Sequence, residues 1–311
     1  MARKRRDNAG SGKLGRPMRV RGFLLALPPV LVIAVFIGVP IVAALAYSLG
    51  HTGGPNSVVA SIAQDQHVSH GGAGTLGAYR AVFGDHSFRR DLWVTVWVSA
   101  ATVVLVLLLA WGVALYQRLS EGWVARTLTA LSVVPLFVPV VIASYAILAC
   151  YAPYGLVRTV LYHLGWHDAP TLSYTMATVL IGQVWVNVPF AVLMIASGLN
   201  AVPDALIEAA RDAGASPART VRSVLVPLNS VPTTIVVTFT GINVLGSFTV
   251  PYLTGPASPN LLGPAMTEYF QNFNRPQQAV VMAVVVFVLA AGLGAAYVAA
   301  NVRAARRTGL A

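Results

Sequence analysis

Residues 23–49, 92–116, 127–151, 172–198, 228–250 and 278–302 are dominated by apolar side chains and contain no Lys, Arg, Asp or Glu. A helix of about 20 residues crosses the hydrocarbon core of a bilayer, and in that medium only a helix satisfies its own backbone polar groups. Six such stretches in a 311-residue chain that is 56% hydrophobic and 10% charged predict an all-α integral membrane protein with six transmembrane helices. A soluble domain carries about a quarter charged residues, and a disordered chain carries far fewer apolar ones. Cys150, the single cysteine, lies inside the third stretch, so neither a disulfide framework nor a cysteine metal cluster is available. Prolines 28, 29, 40, 135, 139, 189 and 232 fall within the stretches and are expected to kink or break helices there.

The formal net charge of +11 could indicate a nucleic-acid surface, but the basic residues sit in the gaps between apolar stretches instead of on one folded face. Their distribution reads as topology. Sixteen of 21 Lys and Arg fall in the tail 1–22, the loops 117–126 and 199–227, and the C-terminal tail 303–311. Only five fall in 50–91, 152–171 and 251–277. Since short cytoplasmic segments retain positive charge, both termini are expected in the cytoplasm, on a multi-pass protein of the inner or plasma membrane. The tail 1–22 is expected to lie near anionic lipid.

Two segments imitate other signals. A basic start, an apolar run and Ala44-Leu45-Ala46 resemble a cleavable leader, but the run far exceeds a leader core of about 7–15 residues, so a retained first helix is expected. Gly10-Ser11-Gly12-Lys13 resembles a phosphate loop, yet Asp7 stands where glycine is needed and Leu14 where a metal-binding hydroxyl is needed.

The loop 199–227 carries the most information. Pro203 suits a first helical turn, with Asp204 and Glu208 near the positive end of the helix dipole. Gly214 suits a left-handed C-terminal cap, and Ser216-Pro217 an N-cap followed by proline at the first helical position. Leu206, Ala209, Ala210 and Ala213 share one face of the first helix, and Val221, Val224 and Leu225 one face of the second, with Arg219 and Arg222 opposite. A helix-turn-helix at the cytoplasmic membrane surface is predicted, and by itself an amphipathic surface hairpin with solvated charges would account for it.

Glu208-Ala209-Ala210, Gly214, Val224 and Val226-Pro227 stand at the spacing of the EAA motif, whose family pattern is EAA, Gly, then Ile-x-Leu-Pro. The chain therefore resembles the permease subunits of binding-protein-dependent ABC importers, departing from the pattern by valine at 224 and at 226. Weaker similarity runs from about residue 75 to the C-terminus. The resemblance implies a MetI-like permease architecture whose loop docks into a groove on a separate ATPase, and it marks Glu208, Ala209, Ala210, Arg211, Gly214, Arg219, Arg222 and Pro227 as coupling residues. It also implies two ATPase copies, a second permease subunit, homologous or identical, and an extracytoplasmic solute-binding protein. ATP and Mg would be bound by the ATPase, since this chain has no nucleotide motif, no cofactor of its own and no catalytic residue.

Polar side chains inside the spans are candidates for the translocation path: Tyr145, Trp185, Asn187, Asn243 and Ser247, with Gln183 and Thr238 beside them. Asn187 stands out because Pro189 frees a carbonyl nearby. His51, His67, His70, His86, His163 and His167 lie in external loops and read as solvated side chains, not metal ligands. An ion-coupled secondary transporter is the rival class, but the spans offer no Asp, Glu or His relay. A membrane scaffold would not need the EAA spacing.

Residues 76–83 (LGAYRAVF), 245–255 (LGSFTVPYLTG), 266–270 and 274–276 are similar to the spermidine/putrescine-type permeases. A polyamine solute is the expectation that follows. Thiamine, iron, phosphonate and sugar permeases are the alternatives.

Overall fold

The computed structural model describes residue 25 and residues 27–69, 74–120 and 122–307, the last five as backbone only. The basic tail 1–22, the segment around Lys13, His70 and residues 308–311 lie outside the described residues. Among the described residues all regular structure is helical. Four helices are long and apolar enough to cross a bilayer: Leu27–Ser48, His86–Leu119, Met176–Asn200 and Pro276–Val302. The other two candidate spans are bent pairs, Trp123–Phe137 with Val140–Cys150 at 111°, and Pro217–Leu228 with Ser230–Leu245 at 69°.

The expected third span, 127–151, is thus not one helix. Pro135 opens a 3-10 turn, Val134–Phe137, and Pro139 forces Val138 into extended backbone (φ −100°, ψ 120°) before the chain turns helical again at Val140. A residue before proline is disfavoured in the helical region, and at Val138 the chain leaves it. The expected fifth span, 228–250, also needs correction. Its helix is Ser230–Leu245, and Thr249 and Val250 belong to a separate short helix, Thr249–Thr254. The second helix begins at His86, earlier than residue 92, because the Asp85 carboxylate accepts from the Ser87 N–H at 2.8 Å and caps it. The fourth begins at Met176, capped by Thr175, and the sixth helix continues to Arg307.

Three prolines are accommodated without a break. Five-residue π-helical segments, Ala34–Gly38 and Val221–Leu225, stand just ahead of Pro40 and Pro227. Proline clashes with the carbonyl four residues back, and widening the preceding turn relieves that contact. Pro189 sits inside the continuous helix Met176–Asn200.

The second and fourth spans make the most extensive packing, the fifth packs on both, and the sixth packs on the fifth. The first span packs chiefly on the sixth and is exposed along most of its length. At one end of the bundle Val106, Ala110 and Ala114 of the second span meet Ala191, Val192, Ile195 and Leu199 of the fourth, with Val236 of the fifth. At the other end Phe88, Leu245, Leu262, Val281, Met282 and Val286 form a second cluster. Leu261 is buried with Val98, Val179 and Val244 in a third. Small side chains at the second–fourth contact let those helices approach closely, which is how spans associate where no hydrophobic drive separates protein from lipid.

At this second end, polar side chains tie loops to helix starts. Gln277, fully buried, accepts from the His67 N–H at 2.8 Å and donates to the carbonyls of Tyr47 and His67. Asp91 accepts from the Asn260 N–H at 3.1 Å, and Thr95 Oγ1 from the Leu262 N–H at 2.9 Å. The Tyr269 hydroxyl donates to Asp85. Burial, and then that hydrogen bond, hold the Tyr269 phenol well above its ordinary range and keep it protonated.

Candidate functional site

Asp204 opens the first helix of the 199–227 loop, Asp204–Asp212, with Pro203 at the N-cap instead of in the first turn. The helix ends in a Schellman motif. Gly214 takes φ +79°, its N–H donates to the Arg211 carbonyl at 2.8 Å, and the Ala215 N–H donates to the Ala210 carbonyl at 3.0 Å. Ser216 then caps Pro217–Leu228 by accepting from the Arg219 N–H.

The buried face of the hairpin differs from the sequence expectation. Ile207 and Leu225 are the buried anchors and join Val202 in the core formed with Ala114, Ile195 and Leu199. Val221 and Val224 are partly buried against it, as expected, but Leu206 is 45% exposed and Ala209 and Ala213 are also exposed. The apolar arc of this nine-residue helix runs through Ala205, Ala209, Leu206 and Ala210 to Ile207, and docking on the bundle selects its Ile207 edge. The consequence is an outer surface of Leu206, Glu208, Ala209, Arg211, Ala213 and Gly214, beside Arg219, Arg222 and Pro227, while Ala210 is half-buried. Among the described residues the ion pairs are Arg118–Asp204 and Arg275–Asp65, so Glu208 and Arg211 are not paired with each other.

Both feet of the hairpin are held by residues that sequence reasoning left out of the site. Arg118, at the end of the second span, donates from Nε to the Leu199 carbonyl at 3.2 Å and from Nη2 to the Val202 carbonyl at 3.1 Å, and pairs with Asp204. It entered the sequence reading only as a topological charge. At the other foot Asn229 is fully buried, and its amide donates to the Ile195 carbonyl at 3.2 Å. The carbonyl oxygen of that side chain occupies the space where a Cβ on Gly198 would stand. An amide two positions after Pro227 and a glycine in the facing helix were the available signals.

The candidate path residues are only partly brought together. Gln183, almost fully buried, donates to the Ser247 hydroxyl at 2.6 Å, and the Asn187 amide donates back to the Gln183 carbonyl at 2.8 Å. Asn187 and Ser247 are thereby linked through Gln183, across the fourth span and the break that follows Leu245. Tyr145 is 56% exposed, Asn243 is exposed, Trp185 is half-buried, and among the described residues no hydrogen bond joins these three to that network. Thr238 is buried and donates to the Thr234 carbonyl of its own helix.

Residues 106–307 match the family described as binding-protein-dependent transport system inner membrane component. The chain is 28% identical over 232 residues to the sulfoquinovosyl glycerol transport system permease protein SmoG of Agrobacterium fabrum, covering 70% of this chain and 73% of that one. It is 30% identical over 231 residues to the trehalose/maltose transport system permease protein MalF of Thermococcus litoralis, covering 71% and 72%. Similarity to the spermidine/putrescine transport system permease protein PotB of Salmonella typhimurium is 29% over 143 residues, 46% of this chain and 50% of that one. The polyamine-type resemblance is therefore partial, and the sugar-type permeases match over a longer stretch.

In fold, the chain resembles a bacterial alginate ABC transporter solved with its alginate pentasaccharide-bound periplasmic protein, with a TM-score of 0.72 at 14% identity over 96% of this chain and 98% of that one. It also resembles the MetNI methionine ABC transporter in an inward-facing conformation, with a TM-score of 0.55 at 19% identity over 70% and 94%.

Proposed function

Because the chain belongs to the family of inner membrane components of binding-protein-dependent transport systems, we propose that the 199–227 hairpin is the surface through which a separate ATPase drives it. One observation carries this reading. The hairpin is continuous with the bundle core through Val202, Ile207 and Leu225, yet presents Glu208, Ala209, Arg211, Gly214, Arg219 and Arg222 outward. A body anchored this way passes a push on its outer face into the second, fourth and fifth spans. Small Ala209 and Gly214 allow close backbone approach by a partner, and the charged groups offer complementarity to its rim. The chain is a transport subunit and not itself catalytic. The complete importer would pair it with a second permease, identical or homologous, with two ATPase copies carrying ATP and Mg, and with an external binding protein. In this reading Tyr145, Trp185, Asn187, Asn243 and Ser247 border or support the path.

Both termini and the hairpin are assigned to the cytoplasm, on the charge distribution. In a Cys150→Ser background, a cysteine at Ser216 is expected to react with a membrane-impermeant maleimide only after the cytoplasmic side is opened, and one at Ser258 in intact cells. Both sites lie outside the helical spans, Ser216 exposed at a cap and Ser258 beside Arg90. The reverse pattern would overturn the orientation.

For the solute, a saccharide or glycoside is the better reading than a polyamine. Two relatives that match over about 70% of the chain are named for such solutes. The polar groups of the spans are amides and hydroxyls, Gln183, Asn187, Ser247 and Tyr145, which suit a hydroxylated solute. A polycation in a low-dielectric path needs carboxylates, and Asp91, at the edge of the second span, is already engaged by Asn260. In proteoliposomes containing the complete importer and its binding protein, labelled trehalose is expected to accumulate with ATP and labelled spermidine is not. Accumulation of spermidine without trehalose would return the polyamine reading.

A further inference from the structure

We propose that Arg118 is a positioning residue for energy coupling. Its guanidinium locks the 201–203 hinge, so that movement of helix Asp204–Asp212 is passed to the second and fourth spans instead of being absorbed between them. The proposal rests on the hairpin being the ATPase-driven surface. At the end of the fourth span the chain must leave one helix and enter another within three residues, Ala201, Val202 and Pro203. Pro203 has no N–H to stiffen that link. The last carbonyls of a helix also lack intrahelical partners.

Arg118 reinforces the link from a third element, adding to the Val202 N–H that meets the Leu199 carbonyl at 3.2 Å. Its side chain, 17% exposed, reaches the Leu199 carbonyl at the end of the fourth span, the Val202 carbonyl in the hinge and the Asp204 carboxylate in the first turn of the next helix. The positive charge sits at the negative end of one helix dipole and holds the carboxylate at the positive end of the next. Planar geometry with several fixed donors lets guanidinium hold three acceptors at once, which an ammonium does less well. A notch of about 190 Å³ lies between the end of the second span and the hairpin, bounded by Arg118, Leu119, Asp204, Ile207, Glu208 and Arg211. This staple therefore faces the outer surface assigned to the partner, and the core contacts of Ile207 lie directly behind it.

The test measures solute uptake and ATP hydrolysis together in the reconstituted importer. Arg118→Gln is expected to assemble with the ATPase and hydrolyse ATP, while uptake per ATP falls about fivefold or more, the scale of a typical coupling between sites. Arg118→Lys keeps the charge but not the fork and is expected to recover part of the loss. Asp204→Asn keeps both carbonyl bonds and is expected to lower the ratio by a smaller factor. A purely structural role would reduce the amount of assembled transporter and leave uptake per ATP unchanged. An unchanged ratio in Arg118→Gln overturns the proposal. If that variant cannot be purified, an unchanged ratio in Asp204→Asn, whose side chain is largely exposed, overturns it instead. Glu208→Lys, run in parallel, separates the two levels. If it leaves ATPase association and uptake intact, the hairpin reading itself fails. If it abolishes both while Arg118→Gln keeps a normal ratio, only the role of Arg118 is lost.

Discussion

Membranes carrying Glu208→Lys are expected to hold normal amounts of the permease, to retain little ATPase on purification and to show solute uptake reduced about tenfold or more. The expectation combines two magnitudes. Glu208 is exposed and makes no ion pair with Arg211, so within the isolated subunit the change is a surface substitution, typically worth no more than about 0.5 kcal/mol. Within a desolvated contact, reversing a charge costs roughly 2–5 kcal/mol, enough to disrupt association. Gly214→Val approaches the same surface through the backbone. The glycine holds φ +79° in the Schellman motif with nothing within 4 Å of its open side, so the obstacle is conformational and not steric. A left-handed conformation costs an L residue about 1–2 kcal/mol, and a β-branched one is the poorest fit. The turn between the two hairpin helices would be re-formed, with uptake lost and insertion retained. Normal uptake in both variants would remove the hairpin from the mechanism.

Gly198→Ala is expected to have the largest effect on stability. A Cβ there would stand 1.8 Å from Asn229 Oδ1 and 2.6 Å from Pro232 Cγ, and neither neighbour can yield easily. Asn229 is fully buried and bonded to the Ile195 carbonyl, and Pro232 is a ring in the first turn of Ser230–Leu245. Overpacking of this kind costs about 1–3 kcal/mol, and the helix that carries the hairpin would be pushed off the fourth span. Thermal unfolding of the detergent-solubilised protein, followed by size-exclusion chromatography, should show a midpoint lowered by several degrees, at roughly 2–4 °C per kcal/mol for a domain of this order. Adding Asn229→Ala should recover part of that loss by removing the colliding oxygen, although it also removes one hydrogen bond. A midpoint unchanged by Gly198→Ala would show that the fourth and fifth spans do not meet as closely as described.

The arrangement of Gly198 and Asn229 shows where sequence reading stops. Both residues are plain in the chain, and nothing in their local patterns pairs them, because they lie 31 positions apart and meet only after the chain turns at Asn229. The same holds for Arg118, separated from Asp204 by 86 positions. Periodicity puts Leu206, Ala209, Ala210 and Ala213 on one face of the first hairpin helix, but it does not say which edge of that apolar arc turns inward, and Ile207 is the buried residue. The polyamine expectation rests on short segments, 76–83, 245–255, 266–270 and 274–276, while the longer matches are to sugar-type permeases.

What the sequence determined by itself follows from local and solvent physics. An uncharged apolar stretch must be helical in lipid, Gly214 and Ser216-Pro217 set their turn through their own backbone preferences, and the prolines within a stretch mark where its helix can kink or break. The tertiary structure decided which side of the hairpin is anchored and which is free, how the break at Asn229 sets a 69° bend, and which carbonyls Arg118 holds. Those outcomes depend on contacts between elements far apart in the chain, where side-chain size and hydrogen-bond direction select one packing among several that the same local pattern allows.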